Sequence, residues 1–168
     1  MINASLLNQI NKYNPNTIID IKNTMKEVLQ DIILSGLAKS DFFKKAVFYG
    51  GTSLRIFRGL PRFSEDLDFA LLDKNTNFQL EKYFTVIEEE IKAYGLNLKV
   101  FTKQKKATNI KSAFLKGNTL EHVLLFFSEN NHLTNNKILK DIKIKFEVDV
   151  NAPSGATYDF KLNLKNLD

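Results

Sequence analysis

Residues 142–150, Ile-Lys-Ile-Lys-Phe-Glu-Val-Asp-Val, alternate between apolar and charged without a break. Side chains along an extended strand point to opposite faces in turn. The run therefore predicts a strand with Ile142, Ile144, Phe146, Val148 and Val150 in a core and Lys143, Lys145, Glu147 and Asp149 on the other face. An isolated strand is not stable, so the chain must build a sheet and cover its apolar side. The cover is expected from a helix starting after Pro15, capped by Asn16 or Thr17, in which Ile18, Ile21, Met25, Val28, Leu29, Ile32 and Ile33 recur with the helical period. Gly36 is expected to end or loosen this helix, and Ser40 and Asp41 to cap a short turn beyond it.

Further strands are predicted at 46–49, 66–72, 96–102, 110–115 and 158–164, the apolar run 120–127 suits strand or helix with strand preferred, and further helices are predicted at 52–57 and around Leu80, Phe84, Ile87 and Ile91 up to Gly95. The second of these helices leaves Glu88, Glu89 and Glu90 largely in water. This is an α+β (α/β) pattern, a mixed sheet flanked by helices, with helices early and strands late. A length of 168 residues suits one domain, with helices in 1–45 and the core in 46–164.

Composition narrows the chemistry. The chain has no Cys, which excludes disulfides, thiolate catalysis and Cys-bound zinc, so a metal would be held by oxygen and would be Mg²⁺ or Mn²⁺. A net charge of +5 suits a polyanionic partner. The densest basic stretch, Lys103-Gln-Lys105-Lys106 with Lys99 and Lys111 on either side, reads equally as a solvated loop or a nucleic-acid contact. No apolar run approaches the ~20 residues of a membrane span, and the first residues carry no export signal, so a cytoplasmic protein without a membrane partner is expected. His122 and His132 have no spacing that suggests a ligand or a base.

The informative segment runs from Gly50 to Phe69. A strand that ends in Gly50-Gly51 and opens a helix offers unpaired amides and the positive end of a helix dipole, which suits phosphate. Thr52 adds a hydroxyl, and Arg55, three residues along the same helical face, adds charge. Asp66 and Asp68 project from one side of a strand, within reach of one or two divalent cations that also bind a triphosphate.

Residues 50–69, GGTSLRIFRGLPRFSEDLDF, resemble the first motif of the AbiEii/AbiGii nucleotidyltransferase toxins of type IV toxin–antitoxin systems, a branch of the DNA polymerase beta-like superfamily. Thr52 stands where that superfamily more often has Ser. The resemblance implies the polymerase beta-like nucleotidyltransferase fold, with Gly50, Gly51 and Thr52 at the nucleotide phosphates and Asp66 and Asp68 on metal. Arg62 and Ser64 belong to the same motif, Arg62 as a phosphate contact and Ser64 as a nucleotide contact or a residue that shapes the turn. Residues 145–153 are similar to the family's later strand with its Lys-x-Glu motif, which implies Glu147 as a third catalytic acid and metal ligand and Lys145 as a phosphate contact. Asp149, two residues on along the same face, is the alternative to Glu147. Relatives continue past a strand around Phe160 into a helical part, and the expectation is that this chain, ending at Asp168, lacks it.

These residues predict transfer of NMP from an NTP to a hydroxyl, by in-line attack on the α-phosphate with pyrophosphate leaving. The resemblance implies an RNA or tRNA end, or a protein side chain, as acceptor, and a separate antitoxin protein as partner. The alternative is a truncated, non-catalytic nucleotide- or RNA-binding module of the same fold. Phosphatase or nuclease chemistry fits less well, because the Gly-Gly-Thr turn suits a triphosphate.

Overall fold

The computed structural model describes residues 4–103, 109–117, 142–153 and 155–163. Two helices come first, α1 (Ala4–Tyr13) and α2 (Ile18–Ala38). A short 3-10 turn, Phe42–Lys44, leads to β1 (Ala46–Tyr49), α3 (Gly50–Arg58) and β2 (Leu67–Leu71). A second 3-10 turn, Leu80–Tyr83, opens α4 (Phe84–Ala93), and β3 (Lys99–Lys103), β4 (Ile110–Gly117) and β5 (Ile142–Asp149) complete a five-stranded sheet. Its order is β1-β2-β5-β4-β3, with β2 and β5 parallel and the other neighbours antiparallel. The fold is mixed α+β, and no described helix is long and apolar enough to cross a membrane.

α2 is the spine of the molecule. A capping box starts it: the Thr17 hydroxyl accepts from Asp20 N, and Thr17 N donates to the Asp20 carboxylate, both at 3.0 Å. Ile21, Met25, Val28, Leu29, Ile32 and Ile33 then bury against the apolar side of the sheet, where Leu67, Phe69, Phe146 and Val148 are wholly buried. The helix does not stop at Gly36 but runs on to Ala38. A Cβ at Gly36 would lie 3.2 Å from Val86 O and 3.3 Å from Ile87 Cα, so this glycine lets α4 pack closely on α2 instead of breaking the helix.

The polar side of α2 is buried too, and it holds the loop between α3 and β2. Gln30 Nε2 donates to the carbonyls of Ser64 (2.9 Å) and Glu65 (3.0 Å), and Lys26 pairs with Glu65 at 3.2 Å. Gln30 thus fixes the backbone that delivers Asp66 to β2, and Lys26 holds the Glu65 side chain beside it.

Other elements depart from the sequence pattern. α1, which the periodicity did not single out, buries Leu6 and Ile10 one turn apart on α2. β3 starts at Lys99, with Leu96 and Leu98 buried ahead of it, and β2 starts at Leu67, leaving Asp66 just outside. Residues 158–163 form no strand. Alternation gives a segment two faces but no ladder partner, and here Tyr158, Phe160 and Leu162 are exposed while Asp159 meets Arg58 and Asn163 donates to Asp31. The segment 120–127, both histidines, Lys105 and Lys106, and Leu164 lie outside the described residues.

Candidate active site

β1 passes straight into α3 at Gly50, whose φ of +80° is left-handed and suits only a residue without a side chain. A Cβ built there would lie 2.7 Å from Asp68 Oδ2. One built on Gly51 would lie 2.9 Å from Ser64 Oγ and 3.7 Å from Arg62 Nη2. The glycine turn, the second acid, Ser64 and Arg62 therefore meet at one place, beside the N-terminal amides of α3.

Two of the nucleotide-binding candidates have other partners. Thr52 is buried, and its hydroxyl donates to Asp66 O at 2.5 Å, tying the start of α3 to the start of β2. Arg55 reaches Glu27 on α2 and donates to Pro61 O at 2.8 Å, bracing the loop from behind. A cavity of about 520 Å³ opens there, lined by Tyr13, Glu27, Asp31, Arg55 and Leu60 among others and by none of the candidate acids. Burial raises the Tyr13 phenol far above its ordinary range, and Glu27 and Asp31 add to the rise.

The strand register sets the rest of the site. Tyr49, Asp68, Glu147, Ser112 and Lys103 are successive partners across β1, β2, β5, β4 and β3, one unbroken row on the face away from α2. Asp68 and Glu147 are thus neighbours on parallel strands, which lie ~4.8 Å apart. Glu147 Oε1 accepts from Ser112 Oγ and from Lys145 Nζ, each at 2.9 Å. Asp149 sits opposite Ala70, and its Oδ1 accepts from Asn151 N at 2.9 Å.

The electrostatics follow from that crowding. Partial burial raises the Asp68 carboxyl above the usual carboxylate range, and the charges of Asp66 and Glu147 raise it further against the pull of Lys145. The Lys145 ammonium is held up by its hydrogen bond to Glu147, with Asp66 and Asp68 contributing. Burial raises the Tyr49 phenol, helped by Asp68, Asp149 and Glu147.

Among the described residues no three His, Cys, Asp or Glu side chains converge into a ready-made metal cage. The donor set still fits a hard cation. Mg²⁺ is commonly held by one or two carboxylates together with substrate phosphates, and acids crowded together gain from a cation beside them.

Residues 32–157 match the family described as "Nucleotidyl transferase AbiEii toxin, Type IV TA system". The chain belongs to the AbiEii family. The match extends from the second half of α2 past β5, so every candidate residue of this AbiEii chain lies inside it. A crystal structure from H. pylori, of a protein provisionally assigned as a nucleotidyltransferase, is similar at 22% identity with a TM-score of 0.42. That similarity covers 74% of this chain and 44% of the other, so the AbiEii chain spans less than half of that structure. No curated protein matches it.

Sequence reasoning missed Tyr49, Ser112 and Gln30. Gln30 was hidden inside a helix read for its apolar face. Tyr49 directly precedes the glycines, and a large polar aromatic at that point was an available signal. Ser112 had none, because its place beside Glu147 depends on strand register.

Proposed function

We propose that this chain is a metal-dependent nucleotidyltransferase that moves NMP from an NTP to a hydroxyl. The observation that carries the proposal is the approach of the glycine turn to Asp68, so close that a Cβ at Gly50 would stand 2.7 Å from the carboxylate. A phosphate resting on the amides at the start of α3 is then also within reach of the acids. Asp66, Asp68 and Glu147 would hold Mg²⁺ or Mn²⁺, with Asp149 as the alternative to Glu147. Such an ion supplies positive charge to the attacking and departing oxygens.

Gly50, Gly51 and Arg62 bind and orient the triphosphate, and Ser64, held in place by Gln30 through its carbonyl, shapes the turn beside them. Lys145 offers charge to phosphate oxygens once nucleotide draws it from Glu147. The acceptor oxygen bonds to the α-phosphorus, the bond to the bridging oxygen breaks, and pyrophosphate leaves with the electron pair. The hydroxyl proton passes to a carboxylate oxygen of Glu147, or of Asp149 on the next row. Thr52 and Arg55 act as positioning residues, through Asp66 and the loop before it. An RNA end or a protein side chain serves as acceptor in the cytoplasm, and the family description supports an antitoxin protein as partner.

The test is an NTP titration with and without Mg²⁺, on wild type and on Asp66→Asn/Asp68→Asn. Affinity should rise with Mg²⁺ in wild type and lose that dependence in the variant. Equal affinity in all arms would sink the proposal.

A further inference from the structure

On the same outward face as the acids, Phe101 and Phe114 are register partners on β3 and β4, stacked with ring centroids 5.6 Å apart and an interplanar angle of 24°. Phe101 is 47% exposed, although a phenyl ring contributes most when it is covered. Lys143 Nζ lies over the Phe114 ring at 4.2 Å. Phe114 is the partner of Lys145, and Lys116 is the partner of Lys143, so the ring pair is bordered by ammonium groups on β4 and β5. Lys103 flanks it on β3, in the row of Asp68 and Glu147. The described helices that contact β3 and β5 do so from the opposite side, where Val100, Ile144 and Phe146 are buried. Cross-strand pairing alone would explain two touching rings. It does not explain a half-exposed aromatic surface bordered by cations and continuous with the row that holds Asp68 and Glu147.

We propose that this face of β3, β4 and β5 is a track for a single-stranded nucleic acid, with a base stacked on Phe101 and Phe114 and phosphates met by Lys103, Lys116 and Lys143. Exposed aromatic rings in a basic surface are the means by which proteins hold unpaired strands without reading their sequence. A duplex keeps its base faces stacked inside and has nothing to place on the rings. The track ends at Lys145, which touches Glu147, so a strand lying on it brings its terminal hydroxyl to the acids. That last role, as acceptor, rests on the nucleotidyltransferase reading, whereas binding of the strand does not.

The experiment measures anisotropy of a short labelled oligouridine, single-stranded or paired with oligoadenosine, with EDTA present so that no transfer occurs. Wild type should prefer the single strand. Phe101→Ala should weaken that binding about five-fold or more, and Phe101→Trp should restore it. Lys143→Ala should weaken binding to every base composition alike and lower the salt slope by about 0.7. Lys82→Ala, in the 3-10 turn before α4, should change little. The track is overturned if wild type does not bind the oligomer, if it prefers the duplex, or if Phe101→Ala and Lys143→Ala bind like wild type. Mg²⁺–NTP titrations of the same proteins separate the two ideas: wild type that fails to bind nucleotide but shows this pattern refutes the enzyme and keeps the track.

Discussion

Gly50 and Gly59 both have left-handed backbone, but only one has a neighbour. A Cβ at Gly59, with φ of +71°, meets nothing within 4 Å, whereas at Gly50 it meets the Asp68 carboxylate. Gly59→Ala should therefore cost only the backbone term, about 1–2 kcal/mol of stability in urea unfolding. Gly50→Ala should cost more and also lose NTP affinity, because Asp68 must move. Equal losses of stability with nucleotide binding intact in both would mean that the close approach has no function. At this scale the Gly-Gly turn and the acid pair were legible, since each requires particular residue types. The directions taken by Thr52 and Arg55 were not, because one side of a short helix can face ligand or loop with the same sequence.

α2 shows what periodicity can and cannot see. Its apolar stripe was readable and its cap was narrowed to Asn16 or Thr17, but Gly36 looked like a stop or a loose point because nothing local announces a second helix at van der Waals distance. The cap makes a testable statement. Thr17→Ala should lower stability by about 1 kcal/mol. The hydrogen bond from Thr17 lowers the Asp20 pKa below its ordinary 3.8. A carboxyl with a depressed folded pKa stabilises the fold fully above the unfolded value and loses that contribution as pH falls through the folded one. Asp20→Asn should thus melt below wild type at neutral pH and converge with it below pH 3.8, followed by circular dichroism. A gap that persists in strong acid would assign the effect to something other than the carboxylate charge. The strands divide in the same way: the period-2 runs at β2 and β5 showed which side chains share a face, and residues 158–163 show that a period-2 run without a neighbour stays single.

Across the whole molecule, sheet order was the least legible feature. No local pattern says that β5 inserts between β2 and β4, and this insertion is what brings Glu147 beside Asp68. The crowding of acids should be relieved when Mg²⁺ and NTP bind together, so the pair should raise the melting temperature, by the equivalent of ~2.7 kcal/mol at a hundredfold excess over Kd. Glu147→Gln should reduce that rise more than Glu89→Gln on the exposed side of α4. Equal rises in both variants would remove Glu147 from the ligand site.

The central place of β5 also bears on biosynthesis. Strands β1 to β4 emerge from the ribosome before it, and until it arrives β2 and β4 each present an unpaired edge in the middle of the future sheet. Closing contacts so far apart in the chain is slow, and the half-made sheet is the stage most exposed to aggregation. The same order of events delays the proposed site, because a nascent chain that carries the glycine turn and both aspartates still lacks Glu147 and the neighbouring strand that completes the row. On the function proposed above, the site would thus be completed only by the insertion of a late strand.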